Sequence, residues 1–286
     1  ALMNRWQLFF TNKEFDKALK DADACNTEES RTCALETLYS LGEIDEIYKR
    51  IDKSSDIDEK NIRLAAFASF ISAQENRDTA NNFCRQPLSF LNFSNLNLHL
   101  KDYKELILDI INDLSVVKTV WEPRKNTTRN GFHTPSNINL FSLSSEKISH
   151  LKSIILKEID SYFLKFQNES CSYIKKWPSK STLVSWSVTL KKQGYQEAHI
   201  HPDGWLSGVV YLKVVPALEN NEGAIEFSLN GSNYSNSKSP KLTYQPKQGD
   251  IVLFPSSLFH RTIPFTTDTS RIILAFDLVP DRSNQF

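Results

Sequence analysis

The chain has 286 residues, of which 40% are hydrophobic, 24% charged and 11% aromatic. At about 150 residues per domain this is roughly two domains, and the composition excludes a disordered tail or a low-complexity array. Lys plus Arg and Asp plus Glu both number 34, yet residues 1–100 carry 12 basic and 16 acidic side chains against 22 and 18 in residues 101–286; neither portion has the basic excess of a protein that grips phosphates, so there is no strong nucleic-acid signal.

The four cysteines, Cys25, Cys33, Cys84 and Cys171, form no CxxC pair and read as four reduced, buried thiols of a cytosolic protein. No apolar run approaches the length of a membrane span. The first ten residues lack the uninterrupted apolar core of a signal peptide. The expectation is a cytoplasmic protein without a membrane partner.

From about residue 4 to residue 90 apolar residues return at intervals of three and four: Phe15, Ala18, Leu19 and Ala22, then Leu35 and Leu38, then Leu64, Phe67, Ala68 and Ile71. This predicts an α-helical front, 1–98, either a tetratricopeptide-like repeat array or a plain bundle packed on the rest. Gly42 closes one helix, Asp45 and Glu46 open another, and 54–56 reads as the turn and cap before the helix through Ala65. Beyond it come a helix at 103–114, a strand at 116–121, a polar loop at 122–130 and a long amphipathic helix at 144–166.

After residue 180 the texture changes. Short β-branched and apolar runs at 182–190 (ending at the Gly194 turn), 206–212, 224–227, 251–254 and 271–276 are separated by Gly, Asn and Pro, with no helical pattern between them. Several strands without intervening helices call for a sandwich or barrel that hides its edges, and a jelly roll fits the count. Residues 99–286 are therefore expected to form a mainly β domain.

Two segments of that domain carry chemistry. His199 and His201 are two apart on an extended chain, so both rings project to one face, and Pro202 bends the chain after them. His260 follows 59 residues beyond His201, after an apolar strand launched by Gly249 and Asp250 and ended by Pro255. Arg271 shares a strand face with Ile273 and Ala275. An arginine in such surroundings needs an anionic partner, either a protein carboxylate or a ligand carboxylate gripped by both nitrogens.

In order and spacing these residues resemble the Fe(II)/2-oxoglutarate-dependent oxygenases, in particular a prolyl-hydroxylase-like group with His-x-His-Pro, then Leu-Ser-Gly-Val-x-Tyr-Leu, then Phe-Pro-Ser before a histidine and an arginine. The resemblance covers about residues 180–280. It implies a double-stranded β-helix (jelly roll, cupin-like) and a hydroxylase that couples decarboxylation of 2-oxoglutarate to succinate with oxidation of a second substrate, using Fe(II) and O2. It implies His260 as the distal iron ligand, and Arg271 with Tyr211 as the grip on the far carboxylate of 2-oxoglutarate. The usual histidine-x-acid pair is altered here, and two registers compete. Either His201 and Asp203 supply histidine and carboxylate, or His199 is the first ligand and His201 stands in the carboxylate position, with Asp203 as the alternative third ligand. The strand delivers His199 before the Pro202 turn, which favours the second.

Two rival functions follow from the same residues. One is a cupin-like metal enzyme that uses the three histidines without 2-oxoglutarate, against which Arg271 argues. The other is a catalytically silent barrel fused to a helical protein-interaction module, against which the intact histidine and arginine set argues. The substrate is open between a small molecule and a peptide or protein side chain, and the helical front favours a protein partner.

Overall fold

The computed structural model describes residues 1–216 and 219–281. Its front is five helices, α1 (Leu2–Thr11), α2 (Phe15–Cys25), α3 (Glu28–Leu41), α4 (Ile44–Lys53) and α5 (Ile62–Glu75). Thr27 and Ser30 cap α3 reciprocally, and Gly42 ends it at φ 78°, a left-handed conformation that glycine adopts without a Cβ clash. The cap of α5 is Asn61, whose side chain accepts from the Leu64 N–H at 3.1 Å; the expected cap at 54–56 instead forms the turn that ends α4. The helical pattern also stops earlier than expected, at Asn76 with φ 47°. Residues 76–82 offer only Ala80 as an apolar side chain, so nothing would hold a further turn to the core.

A short strand, β1 (Asn92–Asn95), precedes α6 (Tyr103–Ser115). The chain continues through β2 (Val120–Trp121), β3 (Thr128–His133), α7 (Glu146–Phe166), α8 (Ser172–Lys175) and β4 (Ser181–Gln196). It ends with β5 (Leu206–Lys213), β6 (Ile225–Ser228), β7 (Lys241–Tyr244), β8 (Asp250–Pro255), β9 (Phe259–Thr262) and β10 (Arg271–Pro280). Seven strands form one antiparallel sheet in the order β1-β8-β5-β10-β4-β3-β2, and three form a second in the order β7-β6-β9.

The differences from expectation have local causes. The strand foreseen at 116–121 shrinks to two residues because α6 runs to Ser115 with Val116 as its C-cap. The loop foreseen at 122–130 is partly strand: β3 starts at Thr128, and the ladder slips register between Arg129 and Gly131, where Asn130 has φ 47°. The same slip lets β4 run 16 residues, straight through Gly194, where a turn had been expected. Strands β1, β7 and β9 carry no clear alternation in sequence and owe their extended form to their partners.

The large sheet is buried on both faces, and period-two alternation sorts its side chains. Leu206, Val210 and Leu212 of β5, with Leu274, Phe276 and Leu278 of β10, pack outward against Ile107 and Ile110 of α6 and Leu151, Ile154 and Ile155 of α7. The 144–166 helix thus lies outside the sheet, as its pattern suggested. Gly208 interrupts β5 because a Cβ there would stand 2.2 Å from Phe276 Cζ. Inward, Val209, Tyr211, Ile273 and Ala275 share a buried cluster with Ile225 and Phe227 of the small sheet. Leu38 of α3, Ile47 and Ile51 of α4, and Phe67 and Phe70 of α5 belong to that same cluster.

The cysteines are free; Cys33 and Cys84 are buried, whereas Cys25 and Cys171 are only partly so. Those two lie at a helix C-terminus and at the cap before α8, which corrects the expectation of four buried thiols. No helix among the described residues is long and apolar enough to cross a membrane.

Candidate active site

The histidines foreseen in the sequence lie on the segment before β5, His199 and His201, and on β9 of the small sheet, His260. The segment before β5 pairs with β9 through reciprocal backbone hydrogen bonds of 3.1 Å between His199 and His260. This bridge joins two stretches 61 residues apart in sequence. His201 is fixed one step on, its N–H donating to the Ser256 carbonyl at 3.0 Å. His199, His201 and His260 each offer a ligand atom, and these atoms lie within 4.8 Å of one another.

Each ring is oriented by an oxygen at its Nδ1: the Glu197 carbonyl for His199 at 2.7 Å, the Leu258 carbonyl for His260 at 3.1 Å, and Asp277 Oδ1 for His201 at 2.7 Å. A proton on each Nδ1 satisfies those acceptors and leaves the Nε2 lone pair of all three rings for a metal. Burial, reinforced by His201, pushes His199 down to about 3. Burial and the two neighbouring imidazoles hold His260 well below the usual histidine range. Both are neutral at physiological pH, which is the ligating form. Three imidazoles with no bridging protein group suit a divalent iron, nickel or zinc ion.

Asp203 is not in this cluster. The Pro202 turn carries it to a separate cavity of about 510 Å³, lined also by Trp177, Lys60, Lys176 and Lys180.

Along β10 the same cavity that touches the histidines reaches Arg271, passing Val209, Ile273, Ala275 and Tyr211. Arg271 is 1% exposed. Its Nε donates to the Gly223 carbonyl at 3.2 Å, and its Nη1 is buried without a hydrogen-bond partner. The Tyr211 hydroxyl is likewise buried and unpartnered. Burial lowers the Arg271 pKa and pushes the Tyr211 phenol up to about 12, so Tyr211 is a donor at neutral pH. Among the described residues no carboxylate forms an ion pair with Arg271. A fully buried guanidinium and phenol left open toward one cavity are costly unless an anion completes them.

Sequence reasoning overlooked Asp277, which orients His201, and Trp186, whose ring centre lies 5.4 Å from that of His201. Asp277 was signalled by its place. It continues the inward row of Arg271, Ile273 and Ala275, and a carboxylate in such a row needs a partner. His133 stacks on Trp186 with ring centres 6.3 Å apart, outside the trio.

Residues 184–277, from β4 to β10, match a protein family described as "Putative 2OG-Fe(II) oxygenase". No curated protein matches the chain. Among solved structures it is similar to a prolyl-4-hydroxylase of Pseudomonas putida, at 12% identity and TM-score 0.47, covering 67% of this chain and 92% of that one. It is also similar to a Trichoplax adhaerens prolyl hydroxylase in complex with a hypoxia inducible factor peptide, at 16% identity and TM-score 0.45, covering 77% and 90%. A third is HygX of Streptomyces hygroscopicus with nickel and 2-oxoglutarate bound, at 13% identity and TM-score 0.44, covering 70% and 88%.

Proposed function

We infer that the chain is an Fe(II)- and 2-oxoglutarate-dependent dioxygenase, as the family match over residues 184–277 indicates, and that His199, His201 and His260 hold the iron while Arg271 and Tyr211 hold the cosubstrate. The observation that carries the second half is the buried, unpartnered pair of Arg271 Nη1 and Tyr211 Oη beside the three imidazoles. A cupin-like enzyme working without 2-oxoglutarate would leave that pair without a use.

When bound, Fe(II) with O2 and 2-oxoglutarate supplies the oxidative decarboxylation that yields succinate and the oxidation of a substrate C–H bond. The protein contributes placement. Arg271 and the Tyr211 hydroxyl complete one carboxylate of the dianion by charge-assisted hydrogen bonds, Val209, Ile273 and Ala275 flank its methylenes, and the buried walls exclude water. The cavity is narrow, about 20 Å³, so these side chains part to admit the acid.

The two facing sheets support reading residues 99–286 as a double-stranded β-helix. The helical front, 1–98, supplies β1 to the edge of its sheet and a shared core. For the second substrate we propose a peptide or protein side chain in preference to a free metabolite, because α3 and α5 flank the barrel beside the metal-bearing segment: Ile200 and Phe259, which adjoin the three proposed ligands in sequence, line a cleft of about 160 Å³ with Trp6, Glu36 and Arg63. Thiols without a disulfide framework support a cytoplasmic setting. The function is tested by succinate formation from 2-oxoglutarate: turnover that requires added Fe(II) and O2 supports it, and none under any metal loading refutes it.

A further inference from the structure

The three imidazoles differ in what stands behind them. His199 and His260 turn Nδ1 to backbone carbonyls, whereas His201 alone turns it to a carboxylate. Asp277 is 8% exposed and lies opposite Ser207 in the β10–β5 ladder. The Ser207 hydroxyl donates to the same Oδ1 at 2.7 Å and lies 2.8 Å from the Ser256 hydroxyl. Among the described residues Asp277 forms no ion pair with Lys or Arg; His201 is its one ionisable partner. Gly204 makes room for the group, since a Cβ there would stand 2.6 Å from Ser256 Oγ and 3.2 Å from Asp277 Cγ.

This buried carboxylate meets a hydroxyl and an imidazole but, among the described residues, no Lys or Arg. A divalent metal on His201 Nε2 would be its cation, one ring away. We propose that Asp277 is a positioning residue of the metal centre: it fixes His201 as the Nδ1–H tautomer, aims Nε2 into the cluster, and lends the ring negative charge. The proposal rests on the reading of the three histidines as metal ligands. Three neutral imidazoles bring no charge to the metal, whereas a histidine-x-acid pair would bring one negative charge. Here that charge stands behind the third ring instead of on the metal. The Ser207 hydroxyl, itself within hydrogen-bond distance of the Ser256 hydroxyl, donates to the carboxylate and holds it in place behind the ring.

The test is anaerobic titration of the full chain with cobalt(II), read by the ligand-field bands, in wild type and Asp277→Asn. The substitution keeps the shape and removes the charge. The expected result is a 10- to 100-fold weaker cobalt affinity, the range for losing such an outer carboxylate, with shifted bands and an unchanged circular dichroism spectrum. Affinity within twofold of wild type in the folded variant, with unshifted bands, overturns the proposal. Should Asp277→Asn fail to fold, imidazole NMR of the zinc-loaded wild type decides: His201 carrying its proton on Nδ1, further downfield than those of His199 and His260, supports the proposal, and zinc bound at His201 Nδ1 refutes it. Wild type that binds neither metal would refute the metal centre itself, a result distinct from the failure of Asp277 alone.

Discussion

The guanidinium carbon of Arg271 lies 5.0 Å from the centre of the Tyr211 ring, and each side chain ends in a buried polar atom with no partner. Removing the cation should therefore strike the cosubstrate and spare the metal. Arg271→Ala is expected to weaken 2-oxoglutarate binding by roughly 2–5 kcal/mol, the scale for truncating one side of a buried charge pair, while cobalt(II) affinity stays near wild type. Arg271→Lys should fall between, since it keeps the charge and loses the two-pronged donor. Calorimetric titration of 2-oxoglutarate into the metal-loaded variants measures both effects; an unchanged affinity in Arg271→Ala would make the arginine structural.

Replacing ligands one at a time separates the two registers read from the sequence. His199→Ala, His201→Ala and His260→Ala should each lower metal affinity by at least about 100-fold, because two imidazoles hold a divalent ion far more weakly than three. Asp203→Asn should change it less than about threefold, because the residue lies outside the cluster. Equilibrium dialysis against cobalt(II) reads all four, and a large loss in Asp203→Asn, His201→Ala and His260→Ala with His199→Ala near wild type would restore the histidine–acid register.

Much of this site was legible in the sequence because its signals are local. The two-residue spacing of His199 and His201 fixes a shared face, and Arg271 stands out in an apolar strand. What escaped was pairing at long range. Asp277 takes its meaning from Ser207 and His201, 70 and 76 residues away, and β9 is extended only because β6 and His199 hold it. The slip beside Asn130 follows from left-handed backbone in a polar run, which reads as loop until a 16-residue partner is laid beside it. The helix ends failed where two capping signals competed, and Asn61 prevailed over 54–56 because only it meets the start of the apolar face.

Gly208 offers a test of the sheet packing. A methyl group there would collide with Phe276, whose ring is buried between β10 and the helices beyond, so Gly208→Ala is expected to destabilise the protein by about 1–3 kcal/mol. Chemical denaturation of the metal-free protein checks this, and an unchanged midpoint would contradict the close approach.

Burial raises the Glu36 carboxyl to about 7, opposed by a 2.7 Å hydrogen bond from Asn233. Between its ordinary value of 4.5 and about 7, the folded state holds a proton that the unfolded state has released. Stability from this group is thus full below pH 4.5 and falls as the pH rises to about 7. Glu36→Gln removes that loss, so its melting temperature relative to wild type should be higher at pH 8 than at pH 5. Parallel melting curves at the two values decide, and an equal difference at both would contradict the raised carboxyl.

Whether iron on the three histidines and 2-oxoglutarate on Arg271 meet in one cavity is decided by adding 2-oxoglutarate anaerobically to the Fe(II)-loaded chain and recording the visible spectrum. A metal-to-ligand charge-transfer band is expected that appears only with both present, is lost in His199→Ala, and needs far more 2-oxoglutarate in Arg271→Ala. A folded, iron-loaded wild type that shows no such band at saturating 2-oxoglutarate would contradict their meeting there.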